Sequence, residues 1–237
     1  MRGVLLCGGE GTRLRPLTEV VNKHLIRVGP RPMAEYPLLK MIKAGITEIM
    51  IVTGGENFAG VVKYFGSGKR HGVKIYYAIQ DEPGGIAQAL SLARIFAGKE
   101  KILVCLGDNI WQHDITPNVK LFEYPGRSCF LFKTFSTNPD RFGTFKNDES
   151  GQEADIIEKP KIFISNWVVP GIYMYTPHVF VLIDELKPSD RGELEISDVN
   201  RWYLREGLAT VLDLPGWWSD CGTIESIIQA ENFLNDQ

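Results

Sequence analysis

The sequence predicts an α/β fold in which a mostly parallel, twisted sheet is covered by helices and continues into a β-rich extension. Two observations support this prediction. Short apolar runs alternate with helical patterns over the first 110 residues, and a βαβα order is typical of a parallel sheet with helices on both faces. The second half contains several short strand-like segments instead. Because no repeat, low-complexity tract or linker divides the chain, we predict one domain over residues 1–237, with halves of about 1–110 and 111–237.

The first half contains apolar runs of strand length. Residues 2–7 end at Gly8 and Gly9, which is typical of a buried strand followed by a turn. Further strands are predicted over 49–52, 73–79 and 102–106. Apolar residues at helical spacing, with a glycine at or just past the end of each pattern, predict helices over 33–45, 56–65 and 86–97.

The second half is richer in predicted strands. Alternating or apolar segments predict strands over 128–135, 142–146, 154–158, 168–175 and 208–214. Helices are predicted over 178–186, 194–206 and 224–234.

The composition excludes several classes of protein. Hydrophobic residues make up 44% of the chain and charged residues 23%, as in ordinary globular proteins, and the net charge of −3 does not favour a nucleic-acid partner. The four cysteines form no Cys-x-x-Cys pair, and Cys7, Cys105 and Cys129 are expected to be core residues. The first apolar run is too short for a signal peptide, and no run approaches the ~20 residues of a membrane span. We therefore expect a cytoplasmic protein without a membrane partner.

A glycine-rich loop follows the first predicted strand, at Gly8-Gly9-Glu10-Gly11-Thr12-Arg13-Leu14-Arg15. Such a loop lets backbone N–H groups approach a phosphate. It lacks the third glycine of a dinucleotide fingerprint, because Leu14 stands there, and it lacks the Gly-Lys-Ser/Thr of a P-loop. Arg13, Arg15 and the nearby Lys23 add positive charge. Backbone donors and cations together predict a triphosphate site.

Two aspartates follow apolar runs. Asp108 comes directly after the strand at 102–106, and Asp220 lies between the strand at 208–214 and the last helix. Ligands of parallel sheets bind beyond the carboxyl ends of the strands. Two carboxylates placed there can hold one Mg²⁺, whose other ligands are water and phosphate oxygens. We therefore predict that Asp108 and Asp220 bind Mg²⁺.

Eight segments together resemble the sugar-1-phosphate nucleotidylyltransferases, and in particular those that use dTTP and glucose 1-phosphate. The segments are GGEGTRLRPLT at 8–18, NKHL at 22–25, GGIAQAL at 84–90, GDNI at 107–110, EKP at 158–160, GIY at 171–173, GELEISD at 192–198 and WWSDCGT at 217–223. Their order and spread over nearly the whole chain make the resemblance specific. It implies a Rossmann-like nucleotidyltransferase fold with a nucleotide-binding first half and a sugar-binding second half.

The resemblance also implies roles for individual residues. Arg13, Lys23 and Lys159 are the expected catalytic residues, with Arg13 on the β- and γ-phosphates, Lys23 on the α-phosphate and Lys159 on the sugar phosphate. The nucleotide is expected to contact Leu6, Gly8, Gly9, Gly11, Thr12, Arg13, Gln80, Gly85 and Asp108. The sugar phosphate is expected to contact Asn109, Gly143, Glu158, Lys159 and Val169. By the same resemblance, the chain forms a homodimer or homotetramer.

Several alternatives remain open from the sequence. A related enzyme could use UTP, CTP or GTP, and UTP is the nearest rival because the Gln80 amide can pair with uracil as well as thymine. Phe142 and Ile157 depart from the common family pattern and leave the sugar open. An inactive binding subunit of the same fold is disfavoured by the joint presence of the predicted catalytic and metal residues, and a Rossmann dehydrogenase by the missing glycine.

Overall fold

A computed structural model describes residues 1–55 and 57–236. Its strands are β1 Arg2–Cys7, β2 Arg27–Val28, β3 Arg31–Pro32, β4 Glu48–Gly54, β5 Lys74–Gln80, β6 Ile102–Leu106, β7 Ile110–Trp111, β8 Cys129–Phe135, β9 Gly143–Asn147, β10 Glu153–Glu158, β11 Trp167–Val168, β12 Ile172–Tyr175, β13 Ala209–Asp213 and β14 Trp218–Ser219. Its helices are α1 Glu35–Lys43, α2 Phe58–Phe65, α3 Ile86–Ser91, α4 Arg94–Ala97, α5 Thr116–Glu123, α6 Val179–Glu185, α7 Ile196–Arg205 and α8 Ile224–Asn235.

Ten strands form one central sheet in the order β10-β9-β11-β8-β12-β6-β1-β4-β5, with β13 also paired to β8. Strands β6, β1, β4 and β5 are parallel to one another, as the βαβα pattern predicts. Strand β12 joins this block to the second half by pairing antiparallel with both β6 and β8. The mostly parallel α/β fold is thus confirmed, and the continuity of the sheet supports our proposal that residues 1–237 form one domain.

The two faces of the sheet are buried against different helices. Successive residues of a strand point to opposite faces, so Val4 and Leu6 belong to one apolar cluster while Leu5 and Cys7 belong to the other. Helix α7 shows why its segment is helical: Ile196, Val199 and Tyr203 recur on one buried face. A smaller cluster packs α8 near β2. Within the described residues, the helices are too short or too polar to cross a bilayer.

Some predicted elements differ from the structure. The sequence pattern does not predict helix α5. At its start, the Asp114 side chain accepts hydrogen bonds from the Thr116 N–H at 3.0 Å and from the Thr116 hydroxyl at 2.6 Å. The predicted helix over 86–97 is two shorter helices, and the predicted strand over 168–175 is interrupted before β12. At that interruption Gly171 packs on Leu106 so closely that a Cβ would lie 2.5 Å from its side chain. Glu56, the first residue of the helix predicted over 56–65, lies outside the described residues.

Candidate active site

An open cavity of about 280 Å³ lies beyond the carboxyl ends of β1, β5 and β6. It brings together predicted residues that are far apart in the sequence: Leu6, Gly8, Gly9, Arg13, Lys23, Gln80, Gly85, Asp108 and Lys159. A second cavity of about 360 Å³ shares Gly9 and Lys23 with the first and includes Arg15. The glycine-rich loop therefore separates two adjoining cavities at the edge of the sheet.

The loop itself is held from within. Gly9 and Gly11 have φ angles of 94° and 64°, which favour glycine. A Cβ on Gly11 would lie 2.8 Å from Thr18 Cγ2 and 2.9 Å from Lys23 Cβ. The Thr18 hydroxyl donates to the Gly11 carbonyl at 2.8 Å, while Thr12 begins a short 3₁₀ helix. Gly11 and Thr12 thus shape the loop, and Gly8 and Gly9 form the cavity wall.

One wall of the cavity surrounds the side chain of Gln80, which is 6% exposed. Its Nε2 donates to Gln88 Oε1 at 2.7 Å, so Gln88 orients the amide. The Gln80 Oε1 lies against Gly8, where a Cβ would overlap it. Gly85 is equally confined, since a Cβ would lie 2.6 Å from the Leu194 carbonyl oxygen. This wall consists of an oriented amide between two glycines.

Lys23 and Asp108 form an ion pair inside the cavity, with 2.6 Å between Nζ and Oδ2. Burial would raise the pKa of Asp108, but the positive charge of Lys23 and its hydrogen bond outweigh burial and lower that pKa. The adjacent His24 is buried, which together with the charge of Lys23 lowers its pKa to about 3. His24 is therefore neutral at physiological pH, and its Nδ1 lies 2.9 Å from Asn22 Oδ1.

Asp220 is surrounded by guanidinium groups. Its Oδ2 lies 2.6 Å from Arg141 Nη2. At the neighbouring Gly222, a Cβ would lie within 3.1 Å of both Arg13 Nη2 and Asp220 Oδ2. Burial raises the pKa of Asp220, and the negative charge of Asp108 raises it further against the lowering effect of the arginines. The negative charge of Asp108 thus acts on Asp220, as expected for two carboxylates at the same edge of the sheet.

This arrangement fits a divalent cation. Two mutually repelling carboxylates gain from a shared positive charge. Within residues 1–55 and 57–236, no cluster of three or more Asp, Glu, His or Cys side chains could hold a metal. Two carboxylates are oxygen ligands of the kind that a hard divalent cation prefers, with its other positions left for water and phosphate oxygens. Asp108 and Asp220 are the residues that would hold it.

Four of the predicted sugar-phosphate residues, Gly143, Glu158, Lys159 and Val169, form a separate group. Glu158 pairs with Gly143 across β9 and β10, and the Val169 N–H donates to the Gly143 carbonyl at 2.8 Å. The Ser197 hydroxyl donates to Glu158 Oε2. Lys159 Nζ lies 3.7 Å from Glu158 Oε1. The second half thus contributes a carboxylate and an ammonium group next to the cavity.

Asn109 is 2% exposed, and its side chain is engaged inside the protein. Its Oδ1 accepts from the Gly171 N–H at 3.1 Å and from Trp218 Nε1 at 2.7 Å, while its Nδ2 donates to Asp108 Oδ1 at 3.0 Å. Asn109 therefore links Asp108 to β14 and to Gly171, the residue directly before β12. Its predicted contact with the sugar stays a prediction.

Two residues of the site have unusual backbone conformations. Lys159 and Cys221 both have φ of 42°, and among the described residues they are the non-glycine residues with positive φ. Each follows a predicted functional carboxylate, Glu158 or Asp220. This conformation costs about 1–3 kcal/mol for a non-glycine residue, and such residues cluster at functional sites.

Sequence reasoning missed several charged residues around the cavity. Arg141 pairs with Asp220, which is 79 residues away in sequence, so no local pattern indicates the contact. Arg191 lies 3.6 Å from Glu158 and 2.8 Å from Glu195, and Glu193 lines the cavity. Glu193 lies within the GELEISD segment and Arg191 directly precedes it. The resemblance of this segment to the family was therefore a signal that could have indicated both residues.

The chain matches the nucleotidyl transferase family over residues 2–237. The glucose-1-phosphate thymidylyltransferase of Neisseria meningitidis is 39% identical over 237 residues, which cover 99% of this chain and 82% of that protein. The protein of the same name from Xanthomonas campestris is 39% identical over 236 residues, 98% of this chain and 80% of that one.

Solved structures agree with these sequence matches. A Bacillus anthracis protein assigned as a glucose-1-phosphate thymidylyltransferase, solved with sucrose, has a TM-score of 0.94 and 44% identity, covering 100% of this chain and 96% of that one. A UDP-glucose pyrophosphorylase in complex with UDP-glucose has a TM-score of 0.87 and 24% identity, covering 99% and 98%. The second likeness shows a shared fold alone.

Proposed function

The chain belongs to the nucleotidyl transferase family, and from that premise we propose that it transfers a thymidylyl group from dTTP to glucose 1-phosphate, releasing pyrophosphate. The relatives that carry this name match nearly the whole chain. The observation that carries the proposal is the single cavity in which Arg13, Lys23, Asp108 and Lys159 converge with Gln80.

The first half of the chain supplies the nucleotide side. The Gln80 amide, oriented by Gln88, can exchange two hydrogen bonds with the edge of thymine or uracil. Arg13 and the backbone of the glycine-rich loop would hold the β- and γ-phosphates, and Lys23 the α-phosphate. The nucleotide contacts predicted for Leu6, Gly8, Gly9, Gly11, Thr12 and Gly85 belong to the same proposal.

Asp108 and Asp220 would hold the cation, which we propose is Mg²⁺. Bound there, Mg²⁺ would supply positive charge to the α-phosphate and to the leaving pyrophosphate. The two aspartates suit this task because both are largely buried, with 17% and 14% of their side chains exposed. Water-excluded carboxylates interact with a cation more strongly than solvated ones.

The second half supplies the sugar side. Lys159 would bind the phosphate of glucose 1-phosphate, and Glu158, Gly143, Val169 and Asn109 would contact the sugar. A phosphate oxygen of the sugar forms a bond to the α-phosphorus while the bond to the β-phosphate oxygen breaks. Lys23 and Lys159 align the two polyanions and offset their charge. No general base is needed, because a phosphate monoester with a second pKa of about 6 is already ionised.

A matrix of substrates tests the proposal. We expect pyrophosphate release to be fastest with dTTP and glucose 1-phosphate, slower with UTP, and marginal with ATP or GTP. Each base-edge hydrogen bond that is left unmade costs about 1–3 kcal/mol. An Asp108→Asn preparation, purified in parallel, reports contaminating activity. A preference for a purine triphosphate, or no release with any pair, would overturn the assignment.

The same comparison of substrates also distinguishes the second candidate function. A UTP-preferring enzyme is the second candidate, since Gln80 cannot distinguish uracil from thymine by these hydrogen bonds. The proposed homodimer or homotetramer is a separate prediction.

A further inference from the structure

Both carboxylates that would hold the cation are already paired with a cationic side chain. Asp108 Oδ2 lies 2.6 Å from Lys23 Nζ, and Asp220 Oδ2 lies 2.6 Å from Arg141 Nη2. These distances are those of short, charge-assisted hydrogen bonds. A divalent cation at the same oxygens therefore competes with two groups of the protein itself.

Arg141 is held in this position by its surroundings. It ends a short 3₁₀ helix, Pro139–Arg141, directly before β9. Its guanidinium carbon lies 5.3 Å from the centre of the Phe142 ring, and that ring packs edge-on against Trp218 at 5.1 Å. The Arg141 side chain is 26% exposed. Arg141 thus bridges the segment before β9 and the segment after β14.

We propose that the Arg141 guanidinium is paired with Asp220 in the nucleotide-free protein and leaves it when nucleotide and divalent cation bind together. This inference rests on the proposed function. Arg141 would move from Asp220 to an oxygen of the triphosphate as the cation takes its place. The protein alone would then bind a divalent cation weakly, and the cation would enter with the nucleotide.

The physical reason is that a guanidinium cannot release its charge. Arginine stays protonated in proteins, so Asp220 becomes available only if Arg141 moves. Without nucleotide, movement would leave Arg141 without an anionic partner beside the buried Asp220, which opposes cation entry. A bound triphosphate offers phosphate oxygens, which arginine binds well. When nucleotide is present, the lost ion pair between Arg141 and Asp220 is replaced by one between Arg141 and a phosphate oxygen. Without nucleotide, Arg141 has no such replacement.

The test measures Mn²⁺ binding, by electron paramagnetic resonance of free Mn²⁺, to the whole protein with Arg141→Gln. Without nucleotide, we expect the variant to bind Mn²⁺ about tenfold more tightly than the wild type, a change of about 1.4 kcal/mol. With saturating dTTP, we expect no tightening or a loss of affinity, because Arg141 has then left Asp220. Arg205→Gln removes an ion pair of 2.8 Å to Asp155 at the junction of α7 and β10, and should change neither value.

Two results would overturn the inference. One is an unchanged Mn²⁺ affinity in the nucleotide-free variant. The other is equal tightening with and without dTTP, which would mean that Arg141 only adds general positive charge. Arg141→Lys keeps the charge but loses the planar fork of the guanidinium. Its Mn²⁺ affinity without nucleotide should lie between those of the wild type and Arg141→Gln. If Arg141→Gln is unstable, the Mn²⁺ affinity of Arg141→Lys is the deciding measurement. The Mn²⁺ titration without nucleotide does not depend on turnover. An unchanged Mn²⁺ affinity would therefore contradict the inference about Arg141 even if the wild-type protein releases pyrophosphate with dTTP, as the proposed function requires.

Discussion

The wall of the cavity around Gln80, in the first half of the chain, is shaped mainly by close contacts at glycines, whereas the wall beside Lys159, from the second half, is a set of charged side chains. On the first wall, Gly8 and Gly85 bracket Gln80, and a Cβ at either glycine would collide with a neighbour. On the second wall, Glu158 contacts its neighbour Lys159 and, from a more distant part of the chain, Arg191 and Ser197. The first wall is fixed by sterics and the second by ion pairs.

This difference indicates how the two substrates would be distinguished. A planar base fits a rigid, narrow site such as the one around Gln80, which is too confined for groups of other shapes. A sugar phosphate carries charge and hydroxyls, and side chains that share partners can adjust to it. The two walls meet where the Leu194 N–H donates to the Gly84 carbonyl at 2.8 Å and the Ala87 N–H donates to the Leu194 carbonyl at 3.2 Å.

The largest expected effect comes from the two carboxylates of the proposed cation site, Asp108 and Asp220. Asp108→Asn or Asp220→Asn should lower turnover at least ~100-fold, about 2.7 kcal/mol of transition-state stabilisation, because each would lose a charge beside the proposed cation. Steady-state pyrophosphate release at varied Mg²⁺ measures this. Asp114→Asn, which changes an aspartate that accepts a hydrogen bond from the Thr116 N–H at the start of α5, should retain turnover. Near-normal Mg²⁺-dependent turnover in either site variant would remove that residue from the metal site.

A smaller effect is expected where the walls touch. Gly85→Ala should lower kcat/KM for dTTP by roughly tenfold, since a Cβ would lie 2.6 Å from the Leu194 carbonyl oxygen, and an overpacked site costs about 1–3 kcal/mol. Gly126→Ala is the matched control: its φ is also positive, at 79°, but a Cβ there meets nothing within 4 Å. If kcat/KM for dTTP fell equally in the two variants, the effect would be due to backbone strain and not to the contact between the walls.

The sequence predicts the first wall better than the second. Periodicity locates β1, β4, β5 and β6, and the ends of parallel strands meet at one edge, so the sequence pattern places Gly8 and Asp108 there. Gln80 is added by the family resemblance. The pairing of Arg141 with Asp220 and of Arg191 with Glu158 depends on how distant loops fold over that edge. Charged side chains there have many partners of opposite sign, and sequence spacing does not select among them. The left-handed backbone at Lys159 and Cys221 is likewise set by tertiary packing and not by residue type.

The division of labour between the walls is tested most directly by calorimetric titration of dTTP into Lys159→Ala. Lys159 extends from the second wall beside Glu158, so its loss should change the dissociation constant of dTTP by less than about threefold, while the KM for glucose 1-phosphate rises at least ~tenfold through loss of a charge-assisted contact of about 1.5–3 kcal/mol. Lys161→Ala, an exposed lysine in the same loop, should change neither quantity. If Lys159→Ala abolished dTTP binding and left the KM for glucose 1-phosphate unchanged, the assignment of the two walls would be wrong.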